Sequence, residues 1–361
     1  MNVLVPSSSL LSGHGSDDGC LTQPCVGYYH QGYDDVKVIE QQPFRTATSI
    51  AVVALAGGVG GAKLADGLYR ALPPAGLSVV VNTADDLDLH GLRVCPDLDT
   101  VLYTLAGLAD PVQGWGIADD TFCALDLLGR YGAPTWFRLG DRDLATHIRR
   151  TALLRGGMRL TEVMRTLTDA LGVHARLLPM CDEPVATRVH TPRGTLDFQE
   201  YFVRRHHADT VLGLEFAGVE EAHVTPEVSR AVQEAAAIVL CPSNPFVSLG
   251  PLLAVPGMRD LLRRPGTPIV AVSPIVAGQA LRGPAADMLR ALGHEPSALG
   301  VARLYSGLVH GFVLDAADRA LAPQVEALGL RALVAPAVMS SPDDRRRLAA
   351  ATLAFAAALS D

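Results

Sequence analysis

The chain has 361 residues, 49% of them hydrophobic, and its 30 Lys and Arg against 38 Asp and Glu give a formal net charge of -8. That length predicts two domains or one large α/β domain with an insertion, and that hydrophobic share can bury a sizeable core. An acidic chain with only 5% aromatic residues is a poor match for a general nucleic-acid binder, an anionic-membrane binder or a stacking platform for single strands, although backbone N–H groups and a few cations can still hold a phosphate locally.

The six cysteines, Cys20, Cys25, Cys95, Cys123, Cys181 and Cys241, contain no Cys-x-x-Cys pair. They read neither as a disulfide framework nor as a zinc site, and a reducing cytoplasm is the expected compartment. No basic leader followed by an apolar stretch and no run of about 18 apolar residues is seen, so neither a signal peptide nor a membrane span is expected.

In chain order, residues 1–48 (with SSSLLSGHGSDDG and YYHQGYDD) lack any sustained period and predict a disordered extension, with order beginning near Ser49. Ile50 to Leu55 reads as a buried parallel strand that stops at glycines. Gly57, Gly58, Gly60 and Gly61 form a loop. Leu64, Leu68 and Leu72 then give Ala62 to Leu72 helical spacing, ended by Pro73-Pro74. Leu77 to Val81 is a second strand, running into Asn82-Thr83-Ala84-Asp85-Asp86. This βαβ opening predicts an α/β, Rossmann-like, doubly wound and mainly parallel sheet.

Thr100 to Leu108 reads as a helix capped by Asp99 or Thr100. About 119–225 is expected to be a helical and small-strand insertion. It is mixed helical to Leu178, with Leu160 to Leu171 a clear helix. Short strands follow, Arg188 to His190 and Leu196 to Val203 among them, and the alternation in FQEYFV favours a sheet edge. Strands at Ala237 to Leu240 and Pro268 to Val272 restore the α/β pattern, ending in Cys241-Pro242-Ser243-Asn244-Pro245 and Ser273-Pro274. The alanine-rich end, Arg347 to Leu359, predicts an amphipathic or buried helix.

Four constellations can carry chemistry. Gly57-Gly58-Val59-Gly60-Gly61-Ala62-Lys63 lets backbone approach a phosphate at a helix start. It fits neither a Walker A loop nor G-x-G-x-x-G, since Lys63 stands where the third glycine belongs. A tight turn without ligand is the plainer alternative. Asp85, Asp86, Asp97 and Asp99 lie near that loop, and carboxylates facing a diphosphate call for a divalent cation between them. An acid after the second strand also suits a nicotinamide ribose, a reading the defective glycine pattern disfavours. Arg138 and Arg142 beside Asp141 and Asp143, followed by His147, suit anion or planar-ring recognition, or else a surface salt-bridge cluster. Ser243, Asn244, Ser248 and Ser273 at strand ends can read a base edge or phosphate, or simply make turns. His174, His294 and the pair His206-His207 read as solvated or core histidines.

Together these segments resemble the 2-phospho-L-lactate transferases, which in actinobacteria are phosphoenolpyruvate transferases. The matching stretches include GGVGGAKL, VVNTADD, PDLDTVLYTLAG, WFRLGDRDLATHIRRT, FQEYFV, CPSNPFVSLGPLL and VAVSPIVAG, in order from about Val52 to Tyr305. Val59 departs from the pattern, standing where Thr is expected. The resemblance implies a transferase domain over 49–361 acting in coenzyme F-420 biosynthesis, with Mg2+, as a cytoplasmic homodimer with no nucleic-acid or membrane partner. A phospho-three-carbon-acid group would pass from its guanosine-diphosphate-activated form to the ribityl hydroxyl of the deazaflavin FO, releasing GMP. In that frame Gly57, Gly58, Gly60, Gly61, Lys63, Asn82, Ser243, Asn244 and Ser273 take the donor, and Asp85 and Asp86 the metal. Asp97 and Asp99 are the catalytic carboxylates, and Asp99, Arg138 and Arg142 meet FO. The runner-up is a nucleotide-sugar-binding regulatory protein of the gluconeogenesis-factor type, which shares the glycine loop and acidic turn. PDLDTVLYTL with WFRLGDRDLATH separates the two.

Overall fold

The computed structural model describes residues 51–360. The extension expected at 1–48, the predicted onset at Ser49, Cys20 and Cys25 lie outside the described residues.

Seven short apolar runs form one sheet: β1 (Val52–Ala56), β2 (Leu77–Val81), β3 (Arg176–Pro179), β4 (Ala237–Leu240), β5 (Ile269–Val272), β6 (Gly311–Leu314) and β7 (Arg331–Val334). Their spatial order is 3-2-1-4-5-6-7, and every pairing is parallel. Strands in such a sheet are covered on both faces and so read as unbroken apolar runs. Val53 and Leu55 point into one core layer, while Val52, Ala54 and Ala56 point into the other. The expected doubly wound α/β fold is present. Its order reverses between β1 and β4, and ligands in such sheets bind beyond the strand ends at that switch point.

Helices follow the first strands: α1 (Gly58–Ala71), α2 (Pro96–Leu105), α3 (Cys123–Arg130), α4 (Asp141–Arg155) and α5 (Leu160–Ala170). The predicted C-terminal helix spans Pro342–Ala357, opened by a capping box between Ser341 and Asp344. It lies against α1, where Gly67 packs on the Arg345 backbone.

Three local expectations are corrected. The glycines after β1 are not a loop ahead of the helix. Gly57 is the N-cap and Gly58–Gly61 already belong to α1, so its first-turn N–H groups sit at the strand end. The second helix starts at Pro96 rather than Thr100, because Pro suits the first helical position. Asp97 and Asp99 therefore lie inside the first turn. FQEYFV is not a sheet edge: the strand Gly194–Asp197 ends before it, and Glu200–Arg204 is a π-helical turn. Phe198, Tyr201 and Phe202, spaced as on one helix face, fill a small core of their own. The stretch read as an insertion also supplies β3, the sheet's edge beside β2.

Among the described residues, no helix is long and apolar enough to cross a membrane.

Candidate active site

A cavity of about 1010 Å3 opens over the switch point, lined by the glycine turn, Asp85, Asp97, Asp99, Arg138 and Ser243. Of the other residues singled out in the sequence, Lys63, Asp143, His147, His206, Asn244, Ser248 and Ser273 also line it, whereas Gly61, Asn82, Asp86, Asp141, Arg142, His174, His207 and His294 do not.

The glycine turn is locked from two sides. The Gly57 N–H donates to Ser243 Oγ at 3.0 Å, and the Gly58 N–H donates to Asp97 Oδ1 at 2.8 Å. Gly58 sits at φ +62, a conformation that favours glycine. A Cβ on Gly60 would run into the Pro242 carbonyl oxygen. These glycines thus serve close backbone packing across the switch point, and since Gly57 has no side chain to cap α1, Ser243 and Asp97 take the N–H groups of Gly57 and Gly58 instead. Asn82 stands behind the wall: its Nδ2 donates to Asp97 Oδ2 at 3.0 Å and to the Val247 carbonyl at 3.2 Å, and its Oδ1 accepts from the Ala84 N–H. Lys63 donates to the Met339 carbonyl at 3.0 Å, and burial, Arg345 and Arg282 together hold its ammonium pKa below the usual range.

The carboxylates divide by environment. Burial, with Asp97 close by, pushes the Asp85 carboxyl well above its ordinary value, and its Oδ1 is shut from solvent without a partner. Burial lifts Asp97 to about 6 against the hydrogen bonds from Asn82 and Gly58. Asp86 is half-buried, and burial pushes its carboxyl to about 8 although Cys95, Arg150 and Arg93 pull it down. It lies off the cavity wall, so the acidic pair facing the glycine turn is Asp85 with Asp97, not Asp85 with Asp86. Such a pair with an orphaned oxygen fits Mg2+, which takes one or two carboxylates and completes its shell with phosphate and water. Among the described residues no cluster of three or more His, Cys, Asp or Glu could hold an ion by itself.

Asp99 is held differently. Both its oxygens are gripped by Arg150, with Nη1 at 3.0 Å from Oδ2 and Nη2 on Oδ1. Arg150 is fully buried, and although burial pulls its guanidinium pKa down, Asp99 together with Cys95 and Tyr103 raises it on balance. On the same face of α4 lie Asp143 and His147, and Tyr103 donates to Asp143 Oδ1 at 2.6 Å. Burial alone would raise the Asp143 carboxyl, but His147, Tyr103 and Arg150 hold it below the usual range. Neither Arg150 nor Tyr103 was expected in the sequence. The i, i+4, i+7 spacing of Asp143, His147 and Arg150 on a helix with few apolar residues was the available signal.

The two arginines of the third constellation part company. Arg138 lines the cavity with its guanidinium 4.1 Å from the centre of the Phe122 ring. Arg142 is exposed and donates to the Ala118 carbonyl at 2.8 Å. At the strand ends, turn chemistry holds: Asn244 Oδ1 accepts from Phe246 and Val247, and Ser273 Oγ bonds both the Ile275 N–H and its carbonyl.

A doubly wound sheet with one large cavity at its switch point, walled by a helix N-terminus and buried carboxylates, defines a Rossmann-like ligand-binding protein. The chain belongs to the family described as 2-phospho-L-lactate transferase CofD, whose model matches residues 52–328. It is 43% identical over 298 residues to a 2-phospho-L-lactate transferase of Methanosarcina acetivorans, covering 82% of this chain and 96% of the relative. It is 44% identical over 311 residues to a phosphoenolpyruvate transferase of Streptomyces avermitilis, covering 84% and 98%. The crystal structure of a UPF0052-family protein from Bacillus halodurans has the same fold, with a TM-score of 0.56 at 14% identity over 85% of this chain and all of that one. The protein is an enzyme, a transferase of phosphate-containing groups.

Proposed function

We propose that the enzyme transfers a phospho-three-carbon-acid group from its guanosine-diphosphate-activated form to the ribityl hydroxyl of FO, releasing GMP, in coenzyme F-420 biosynthesis. The observation that carries this reading is the cavity lined together by the N-terminal turn of α1, Asp85, Asp97, Asp99 and Arg138. The acceptor oxygen bonds to the phosphorus that bears the three-carbon acid, and the bond from that phosphorus to the GMP oxygen breaks. Such transfer needs positioning and charge neutralisation more than covalent help from the protein.

In this scheme the first-turn N–H groups of α1 beyond Gly58, whose own N–H is held by Asp97, take the diphosphate. Asp85 and Asp97 would hold Mg2+, which supplies neutralisation of the phosphate charge. Asp99, fixed by Arg150, accepts the hydrogen bond of the reacting hydroxyl and then its proton. Arg138 covers the deazaflavin plane, and Ser243, Asn244 and Ser273 lie on the guanosine side. We place the enzyme in the cytoplasm as a homodimer, a reading supported by the family resemblance.

The test mixes protein, FO, Mg2+ and each of the lactyl, enolpyruvyl and glyceryl donors. GMP and a phosphodiester should appear by chromatography and mass spectrometry, and chelation should abolish both until Mg2+ returns. Donor binding without GMP release would favour a nucleotide-binding regulator instead. Full turnover in excess chelator would leave phosphate neutralisation to Lys and Arg alone.

A further inference from the structure

Among the described residues, two buried polar atoms without a hydrogen-bond partner belong to side chains lining the cavity: Asp85 Oδ1 and His147 Nε2. The second has no role in the scheme above. His147 is 1% exposed and sits on α4 between Asp143 and Arg150. Its Nδ1 lies 3.3 Å from Arg150 Nη1. A guanidinium only donates, so Nδ1 is the acceptor and the ring proton is on Nε2, an assignment inferred from the network. Nε2 is 3.1 Å from Asp143 Oδ1. Nε2 makes no well-aligned hydrogen bond there, and that oxygen already accepts from Tyr103. The ring therefore presents an unused donor beside a carboxylate acceptor. A donor next to an acceptor is the pattern that a hydroxyl group satisfies.

We propose that His147 contacts the acceptor substrate, its Nε2–H donating to a hydroxyl of a polyol chain that in turn donates to Asp143. The proposal rests on the hydroxyl-acceptor reading above. Asp99 Oδ2 lies 3.7 Å from Nδ1, on the other edge of the same ring. One hydroxyl cannot meet both edges, so the reacting hydroxyl at Asp99 and a neighbour at His147 belong to one chain. The site then selects an acceptor with adjacent hydroxyls.

The test uses steady-state kinetics with FO and with an FO analogue lacking the hydroxyl next to the reacting one. His147→Phe should raise the KM for FO about ten- to a hundred-fold, the cost of stranding one buried hydrogen-bond group, and leave donor KM within about two-fold. His147→Gln, which returns an N–H near Nε2, should recover part of the loss. The analogue should lose affinity in wild type and lose nothing further in His147→Phe. Nitrogen NMR of the histidine-labelled wild-type protein should show the proton on Nε2, a readout that needs no variant to fold. A proton on Nδ1, an unchanged FO KM, or equal loss with the analogue in both proteins would overturn the assignment. Wild type that makes no GMP from FO and any donor would instead overturn the functional reading, and this inference with it.

Discussion

Asp97 and Asp99, two residues apart on one helical turn, are held by different chemistry. Asp97 accepts from an amide side chain and a backbone N–H, whereas Asp99 is clamped by a buried guanidinium. If Asp99 and Arg138 serve the acceptor, Asp99→Asn and Arg138→Ala should weaken FO binding about ten- to a hundred-fold and spare the donor. Ser243→Ala, which strips the Gly57 N–H of its partner, should hit the donor first. Titration calorimetry of each ligand decides, and donor loss with intact FO affinity in the first two variants would misplace the acceptor site. Asp86 carries a separate prediction. Burial pushes its carboxyl up to about 8 from the ordinary 3.8. Between those values the folded chain keeps a proton that the unfolded chain has released. Its contribution is therefore full below the unfolded value and is lost as pH rises toward about 8. Asp86→Asn lacks that loss, so its melting temperature should gain on wild type from about pH 5 to about pH 8. Parallel melting curves followed by circular dichroism would refute this.

At the scale of elements, α1 carries both the site and a core contact. Its N-terminus faces the cavity, while Gly67 near its middle meets the C-terminal helix. Buried Asp66 ties the two helices, bonding Arg70 at 2.8 Å and Arg345 at 3.1 Å. Gly→Ala inside a helix ordinarily stabilises by about 1 kcal/mol. Here a methyl group would run into the Arg345 carbonyl, which is backbone and cannot swing aside. Overpacking of this kind costs about 1–3 kcal/mol, so Gly67→Ala should destabilise on balance. Urea melts measure the sign, and an increase in stability would show that the C-terminal helix yields. The helix α4 was legible as a motif, LGDRDLATH, but not as a scaffold. Its sequence shows the charged residues without showing that Arg150 points inward and Arg142 outward.

On the scale of the whole molecule, the described residues from Val52 onward build a sheet with two core layers. The composition of residues 1–48 supplies no periodic apolar pattern with which to join them. A chain starting at Ser49 should keep its melting temperature and its rate of GMP release. A large loss of either would give the extension a structural or catalytic role.

The sequence by itself determined four of the seven strands of the doubly wound sheet, β1, β2, β4 and β5, together with the glycine turn and the acidic turn. Each is a local signal: an apolar run, a break, a cluster of charge. It determined family membership as well, because long motifs survive in order. It misjudged FQEYFV, where alternation and helical spacing coexist in six residues and packing of Phe198, Tyr201 and Phe202 decided. Tertiary structure alone decided which carboxylates share the cavity. Asp85 and Asp86 are neighbours in the chain, yet of the two only Asp85 joins Asp97 there, where the chain turns at Ala84-Asp85. It also decided that Arg150, 51 residues from Asp99, is the side chain that holds it. Charge balance in a buried site is set by what the fold brings within reach, and separation along the chain carries no record of it.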